Sequence, residues 1–537
     1  MRARLVALLV AVSLLACRRE TPQPPPPATQ TATQPATGPR DGGRLVRRLQ
    51  NDVATLNYVL HTLEEERQVL AYLYDPLIDL DQNLNPIPAT VARWDVLDQG
   101  RAYVLHLDPR ATFSDGQPVR ASDVIFTLHK ILDEESIQYA SWFEHLDREK
   151  TAVIDERTVR VVFKEARPAQ LRSFNIAPMP EHVYAKEKFD RTTKVVGNGP
   201  YVLKQRERGG RIVLERRKDY WREKPHIQTI VFRAIADDTV AWRAMQRGDI
   251  DVTLVGNDVW WKAKDDPKIK ETMTFINIFQ PSYNAIFWNL SDPLFSDVRV
   301  RRALAMAFDR DKIIEELYHG QARPVSGPFT PDQWAANPRV LPIELNTQGA
   351  SALLSSAGWR DSDNDGVLDR NGKMFEFALL VPAGAKAIVD QAQVYQESLR
   401  AIGVIMNITT VDTSAYFEQM MKRNFQASFA SWQNEPDPDP YAIFHSSQVP
   451  PDGLNVVGYA SPEADALMEK ARKEFDHTER VDLYQQLHEV IARDQPYLFM
   501  IQTGAKWAVN RRVQDVKTAP SLGLFLWYPG PRSWWVQ

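Results

Sequence analysis

The spacing of hydrophobic residues along the chain alternates between two periods. Alternating or β-branched runs are typical of half-buried strands, and apolar residues that recur every three or four positions predict amphipathic helices. The predicted strands are residues 103–107, 158–163, 211–214 and 227–232. The predicted helices are residues 122–131, 298–308, 311–318 and 479–492. Because long connections separate these elements, we predict an α/β body of several lobes.

The N-terminal residues form a predicted targeting segment. Arg2 and Arg4 precede an apolar run at residues 5–16, which as a helix spans about 18 Å and is too short to cross a membrane. Residues 1–16 are therefore predicted to be a signal peptide. The run ends in Leu14-Leu15-Ala16-Cys17, which resembles the lipobox of bacterial lipoproteins and implies that Cys17 carries the lipid anchor. The alternative is an ordinary signal peptide followed by an incidental cysteine.

Residues 17–44 are expected to form a tether between this anchor and the body. They are rich in Pro, Thr, Gln and Ala and include four consecutive prolines at residues 24–27. Such a composition cannot bury enough apolar surface to fold. No later stretch approaches 18 uninterrupted apolar residues, so we predict a soluble body.

Charge and cysteine content exclude several classes of function. The chain has 537 residues with 65 Lys and Arg against 69 Asp and Glu, which gives a net charge of −4. Without a basic excess, nucleic acid is not expected as a partner. Cys17 is the only cysteine, which rules out a disulfide framework, a thiolate zinc site and an iron–sulfur cluster.

The sequence carries no recognisable catalytic motif. Ser326 lacks the first glycine of a nucleophile elbow, and Gly372-Lys373 is followed by Met374 rather than by the Ser or Thr of a phosphate-binding loop. His488-Glu489 has no second histidine four residues on, as a zinc protease would require. We therefore predict that the protein is not an enzyme.

Several blocks resemble those of the family 5 extracellular solute-binding proteins, the oligopeptide- and dipeptide-type receptors of ABC importers. The first block is Phe113-Ser114-Asp115-Gly116-Gln117-Pro118-Val119, followed by Ala121-Ser122-Asp123-Val124. The others, in the family's order, are GNGPY at 197–201, ERRKDYW at 215–221, GDID at 248–251, DVRVRRAL at 297–304 with AFDR at 307–310, and EPDPDPY at 435–441. Together they cover residues from about 45 to 505.

The resemblance implies an α/β fold of the periplasmic-binding-protein type, with two lobes (type II), an extra inserted domain and a ligand cleft between the lobes. The chain would cross between lobes near Tyr283 and Gln502, and ligand binding would favour the closed arrangement. The implied ranges are 45–82, 197–283 and 502–537 for lobe I, 83–196 for the inserted domain and 284–501 for lobe II.

The resemblance also indicates candidate ligand-binding residues. In peptide-binding relatives, an aspartate three residues after a tryptophan pairs with the ammonium group of the peptide. Here Glu435 follows Trp432 at that spacing, so it carries the charge one methylene further. A rigid, solvated turn is the alternative for this Pro-rich segment. The candidate ligand-binding residues are Glu435, Trp432, Asp437, Tyr283, Asn284 and Trp288.

A second candidate site is the acidic segment at residues 361–369. Asp361, Asp363, Asp365 and Asp369 occupy positions 1, 3, 5 and 9 of a calcium-type loop with Gly366 at position 6. Position 12 is Gly372 rather than the bidentate glutamate, and the residues after it alternate like a strand. The segment is thus either a structural calcium site away from the cleft or an Asx-rich turn without metal. No other cofactor is expected.

Taken together, the sequence predicts a lipid-anchored receptor that captures peptides by closing its cleft and delivers them to an ABC permease. We expect an extracytoplasmic monomer on a bacterial membrane, in the periplasm or at the cell surface. An alternative keeps the fold but binds an oligosaccharide, a metal chelate or another nutrient. A surface enzyme or a chaperone on the same scaffold is a further alternative.

Overall fold

The computed structural model describes residues 38–81, 85–168, 170–186, 189–190, 194–435, 437–519 and 530–537. The predicted signal peptide, Cys17 and residues 18–37 of the predicted tether lie outside the described residues.

The strands are numbered in chain order. They are β1 (Gly42–Leu49), β2 (Ile78–Leu80), β3 (Pro86–Pro88), β4 (Val91–Leu97), β5 (Ala102–Leu107), β6 (Ala152–Asp155), β7 (Thr158–Val162), β8 (Tyr201–Arg206), β9 (Arg211–Arg216), β10 (Ile227–Ala234), β11 (Val252–Leu254), β12 (Met273–Phe279), β13 (Ser282–Trp288), β14 (Ala322–Pro324), β15 (Asp369–Arg370), β16 (Lys373–Met374), β17 (Glu376–Pro382), β18 (Ile405–Val411), β19 (Ala427–Gln433), β20 (Tyr497–Phe499), β21 (Ile501–Asn510), β22 (Val513–Gln514) and β23 (Trp535–Val536).

The α-helices are numbered in the same way. They are α1 (Glu64–Leu73), α2 (Ala121–Asp133), α3 (Glu181–Tyr184), α4 (Asp238–Gln246), α5 (Asn257–Ala263), α6 (Pro267–Lys270), α7 (Val298–Met306), α8 (Arg310–Lys312), α9 (Thr347–Ser356), α10 (Lys386–Arg400), α11 (Thr413–Met421), α12 (Tyr441–Phe444), α13 (Pro462–Ala471) and α14 (His477–Asp494). Within the described residues, none of these helices has both the length and the apolar character needed to cross a membrane.

Most elements with a clear hydrophobic period fold as predicted. The four predicted strands are confirmed as β5, β7, β9 and β10, and three predicted helices are confirmed as α2, α7 and α14. The predicted helix at residues 311–318 differs, because the single turn α8 continues as a π-helical segment at Ile313–Leu317. The apolar residues that suggested a regular helix there, Ile313 and Ile314, are buried in the lobe II core.

Three sheets organise the body. The largest has the order β12-β21-β11-β1-β10-β9-β8, with β14 paired to β21. A five-stranded sheet has the order β18-β17-β19-β13-β20, and a four-stranded antiparallel sheet has the order β4-β5-β7-β6. We refer to the bodies around these sheets as lobe I, lobe II and the inserted domain, respectively.

Apart from the short strand β14, which follows β13 in the chain and pairs with β21, the described chain passes between the sheets of lobe I and lobe II at two places. It does so at residues 280–281, between β12 and β13, and at residue 500, between β20 and β21. These places lie beside Tyr283 and Gln502, where the sequence predicts the crossings. The five domain ranges drawn from the sequence stay a prediction.

Lobe I and the inserted domain share one hydrophobic core, whereas lobe II has its own. One continuous hydrophobic core contains residues of lobe I, such as Leu45 and Phe232, and of the inserted domain, such as Leu105 and Phe143. Lobe II has separate cores on the two faces of its sheet. Because a close-packed core resists relative motion, we expect lobe I and the inserted domain to move as one unit against lobe II.

Candidate ligand-binding cleft

The loop after β19 leaves lobe II next to the first crossing point. The Asn434 backbone N–H donates to the Pro281 carbonyl (2.7 Å), and the Asn434 side-chain amide donates to Gln333 Oε1 (2.7 Å). Gln333 in turn donates from Nε2 to the backbone carbonyl of Glu435 (3.2 Å). These bonds anchor the backbone that carries Glu435.

Glu435 is exposed to solvent, although surrounding protein groups partly desolvate its carboxyl. Its side chain is open to solvent, yet burial by the surrounding protein raises the pKa of its carboxyl, and nearby Arg67 opposes that rise. Within the described residues, no Lys, Arg or His lies within ion-pair distance of this carboxylate. A solvent-accessible carboxylate without an ion-pair partner among the described residues is suited to bind a cationic group of a ligand.

Arg67, on α1 of lobe I, lies close enough to Glu435 to oppose the rise that burial causes in the pKa of its carboxyl. Its Nε donates to Glu64 Oε2 (2.7 Å) and its Nη2 donates to Glu64 Oε1 (2.8 Å). Burial lowers the pKa of the Arg67 guanidinium, but the Glu64 carboxylate outweighs burial, so the pKa is raised overall. The Arg67–Glu64 ion pair of lobe I therefore lies close enough to the Glu435 carboxylate of lobe II to influence its pKa.

An aromatic wall, formed by Tyr58, His61, Tyr139 and Trp142, lies beside Arg67. The Tyr139 ring stacks on Tyr58 at a centroid distance of 5.4 Å, and lies 5.6 Å from His61 and 5.3 Å from Trp142. Burial raises the pKa of Tyr58 and of Tyr139, and nearby Arg67 opposes that rise in both. The wall joins Tyr58 and His61 of lobe I to Tyr139 and Trp142 of the inserted domain.

Arg67, Glu64 and this wall are not predicted from the sequence. The only local signal is the charged run at residues 64–67 that opens α1, which looks like an ordinary solvated first turn. Tyr139 and Trp142 come from a part of the chain far from α1. Only the fold brings these groups together.

Asp437 has a different environment from Glu435. Its carboxylate lies 2.7 Å from Arg480 Nη2 and 2.8 Å from Arg172 Nη1, and its side chain is 7% exposed. Burial lowers the pKa of Arg480, but the Asp437 carboxylate outweighs burial and the pKa is raised overall. Because two guanidinium groups already balance this charge, we correct the prediction for Asp437 and leave it out of the candidate ligand site.

Trp432 lies near the end of β19 and is half-buried. Glu435 follows in the loop after this strand. The Trp432 ring stacks against Phe287 with a centroid distance of 5.8 Å, and its Nε1–H donates to the Tyr497 hydroxyl (3.4 Å). Part of the indole surface remains accessible. Contact between this surface and a ligand stays a prediction.

The three candidate residues on β13 fall into two groups. Tyr283 and Trp288 are fully buried in the two cores of lobe II, with 1% and 0% exposure. We therefore correct the prediction for both: they are core residues with no surface to offer a ligand. Asn284 is half-buried and accepts a hydrogen bond from Ser431 Oγ (2.8 Å), so a role for it at the cleft stays a prediction.

The acidic segment folds as an exposed turn in which three carboxylates converge. Oxygens of Asp361, Asp363 and Asp365 lie within 4.8 Å of one another. Asp369 instead accepts hydrogen bonds from the Ser362 N–H (2.9 Å) and Oγ (2.5 Å), which turns it toward the protein. Calcium binding here, with these ligands, stays a prediction.

One Ser–His pair outside the cleft resembles a nucleophile and its base. Ser326 Oγ lies 3.2 Å from His488 Nε2. However, His488 Nδ1 accepts from the Asn337 backbone N–H (3.0 Å), so Nε2 carries the proton and donates it to Ser326. Burial lowers the pKa of His488 to about 4. A ring in this tautomer cannot take the serine proton, so the pair is structural.

Comparison with known proteins identifies the fold and family. A family model described as bacterial extracellular solute-binding proteins, family 5 Middle, matches residues 85–452. The oligopeptide-binding protein AppA of Bacillus subtilis (strain 168) is 30% identical over 508 residues, which are 92% of this chain and 92% of that protein. A structure of AppA from Bacillus subtilis in complex with a nonapeptide matches with a TM-score of 0.77 and 29% identity, over 93% of this chain and 100% of the other.

A more distant structure shares the fold alone. NikA from Brucella suis in complex with Fe(III)-EDTA gives a TM-score of 0.81 at 19% identity, over 92% of this chain and 100% of the other. The two-lobe α/β fold class predicted from the sequence is confirmed by these structures. Because proteins of this family are transport receptors without enzymatic activity, the prediction that the protein is not an enzyme is also confirmed. The chain belongs to the family 5 bacterial extracellular solute-binding proteins.

Proposed function

We propose that this protein is the substrate-binding protein of an ABC importer, that it captures peptides between lobe I and lobe II, and that it delivers them to a membrane permease. Support comes from AppA, whose name describes an oligopeptide-binding protein and which matches this chain over nearly its full length. The AppA structure contains a nonapeptide. A receptor of this kind needs no nucleotide site of its own.

Glu435 is the observation that carries the proposal. Its carboxylate is enclosed by protein, lacks an ion-pair partner among the described residues and remains open to solvent. A peptide has an ammonium group at its N-terminus, and that group would supply the missing counter-charge. The anchored loop holds the carboxylate in place, which reduces the cost of ordering it when a ligand binds.

Native mass spectrometry of the purified protein tests the class of ligand. We expect co-purifying peptides, which denaturation would release. Calorimetry with a synthetic nonapeptide should then give binding that weakens when the peptide N-terminus is acetylated. The variant Glu435→Gln should bind both peptides alike, whereas Glu418→Gln, an exposed acid elsewhere in lobe II, should keep the difference. A sugar or a metal chelate as the only bound species would refute the peptide proposal.

The alternative ligand is a non-peptide solute with an amine or an aromatic group. The aromatic wall favours it, since its half-buried members Tyr58 and Trp142 keep some accessible ring surface that suits rings and sugars. The same mass spectrometry distinguishes the two, because an oligosaccharide or a chelate differs from a peptide in mass and fragmentation.

We further propose that Cys17 is lipidated and holds a monomeric receptor on the outer face of a bacterial membrane. This rests on the lipobox resemblance at residues 14–17 and on the extracellular family. Labelling with a fatty-acid analogue should mark the wild-type protein in membranes. The variant Cys17→Ser should lose the label and appear in the soluble fraction, and a labelled Cys17→Ser protein would contradict the proposal.

A further inference from the structure

Asp437 receives one arginine from each side of the candidate cleft. Arg480 belongs to α14 of lobe II, and its Nη1 donates to Asp437 Oδ2 (3.0 Å) while its Nη2 lies 2.7 Å from Oδ1. Arg172 belongs to the inserted domain, and its Nη1 lies 2.8 Å from Oδ2. One carboxylate thus joins two bodies that have separate cores.

Within lobe II, Arg480 and Asp437 are held in place by contacts that do not involve Arg172. The Arg480 guanidinium lies over the rings of Trp334 and Tyr484, at 5.2 and 5.5 Å from their centroids. It engages Asp437 through two nitrogens, so the pair keeps its geometry whether or not Arg172 is present. Since the Asp437 side chain is only 7% exposed, little solvent competes for its oxygens.

The opposite half is also rigid. Arg172 lies on a short 3-10 helix, Gln170–Phe174, whose Phe174 is fully buried in the core shared by lobe I and the inserted domain. Gln170 Nε2 donates to the Trp142 carbonyl (3.1 Å) and ties this helix to the aromatic wall. Joining two pre-ordered halves costs little of the side-chain entropy whose loss makes most surface ion pairs weak.

A second contact lies on the same side of the molecule. Phe475, in the connection between α13 and α14, packs against Gly100 of the inserted domain, where an added Cβ would lie 3.1 Å from the phenylalanine ring. The ring is otherwise half-exposed. Among the described residues, the contacts between the inserted domain and lobe II thus include one ionic and one apolar contact.

We propose that Arg172 and Asp437 form a clasp, an ion pair that stabilises the closed arrangement of the two bodies without touching the ligand. Opening would separate Arg172 from Asp437 and leave the Asp437–Arg480 pair intact within lobe II. The clasp would therefore slow ligand release, and it would slow ligand entry only in proportion to the ligand-free population that it keeps closed. Its effect on a ligand rests on the proposed function, whereas its effect on closure does not.

Spin-label distance measurements on the ligand-free full chain test closure directly. Labels at Glu149→Cys in the inserted domain and Gln393→Cys in lobe II, in a Cys17→Ser background, report the separation of the bodies. We expect a short-distance population that shrinks in Arg172→Gln and partly returns in Arg172→Lys. Raising NaCl from about 0.05 to about 1 M should shrink it slightly in the wild-type background, because Asp437 is shielded and the Arg172 side chain is only 30% exposed, and should have no effect in Arg172→Gln.

Arg167→Gln is the matched control, because Arg167 pairs with Glu144 (2.9 Å) inside the inserted domain. It should leave the distances unchanged. With a fluorescent nonapeptide as probe, Arg172→Gln should raise the dissociation rate about 3- to 30-fold, and the association rate should rise only by the factor by which the open, ligand-free population grows. Identical distance distributions in the wild-type background and Arg172→Gln at both salt concentrations would overturn the clasp. If the nonapeptide fails to bind while Arg172 still controls the distances, the clasp stands and the proposed function fails.

Discussion

Glu435 and Asp437 are two acids of one loop, separated by a single proline, yet their side chains have opposite environments. Asp437 is buried and held by arginines from two bodies, so its charge is used within the protein. Glu435 is solvent-accessible, and within the described residues no basic group lies within ion-pair distance of it, so its charge remains available. The difference shows that the local sequence sets which charges are present, while distant residues decide what each charge binds.

The largest expected effect concerns the paired acid. Asp437→Asn leaves the buried Arg480 guanidinium without its counter-charge, and removing one partner of a buried ion pair costs about 3 kcal/mol. We expect the free energy of unfolding to fall by that amount in urea denaturation. The control is Asp439→Asn, whose partner Arg472 lies 2.9 Å away in a more exposed pair, and which should cost less than about 1 kcal/mol. Equal stability of Asp437→Asn and wild type would break the contrast.

The next effect concerns the available acid. Glu435→Gln should weaken binding of a peptide with a free N-terminus by roughly 10- to 1000-fold, because a buried charge pair with the ligand is lost. Glu435→Asp shortens the side chain by one methylene and should weaken binding less, since the charge is kept. Isothermal titration calorimetry measures both. Unchanged affinity of Glu435→Gln for such a peptide would remove the proposed role of this residue.

A smaller effect concerns stability and pH. Burial raises the pKa of Glu435 above its ordinary 4.5, so its ionised form is disfavoured in the folded protein. The group therefore contributes stability that is complete at pH values below 4.5 and is lost as pH rises through the higher folded pKa. In thermal melts without ligand, Glu435→Gln should be more stable than wild type at about pH 7 and equal to it near pH 4. A variant less stable at neutral pH would contradict this.

The smallest expected effect concerns the acidic turn at residues 361–369. Three of its carboxylates converge, but Gly372 occupies the position of the bidentate ligand and Asp369 is bonded to Ser362. We expect millimolar calcium to leave the melting temperature unchanged, as it should in Asp363→Asn. A rise of several degrees in wild type that Asp363→Asn abolishes would identify a calcium site and revise that expectation.

Much of the fold was predictable because its signals are local. The alternating run at 103–107 becomes β5 and the amphipathic run at 479–492 becomes α14, since periodic burial needs only neighbouring residues to be visible. The candidate site was predictable only in part. The spacing from Trp432 to Glu435 indicated the loop that carries the candidate site, but Arg67 and the aromatic wall come from other parts of the chain. Tyr283 and Trp288 were candidate ligand contacts near the predicted crossing, yet β13 lies between β19 and β20 and both faces of the sheet are covered there.

The sequence by itself determined the α/β class, the family and the presence of several acids in one short loop. Tertiary structure alone decided their roles, because electrostatic environment depends on groups that the fold brings within a few ångströms regardless of their separation along the chain. Arg172 and Arg480 come from different bodies and converge on Asp437, whereas Glu435, two positions earlier, is exposed to solvent. The sequence specifies which charged residues are present, and tertiary packing determines the partner of each charge.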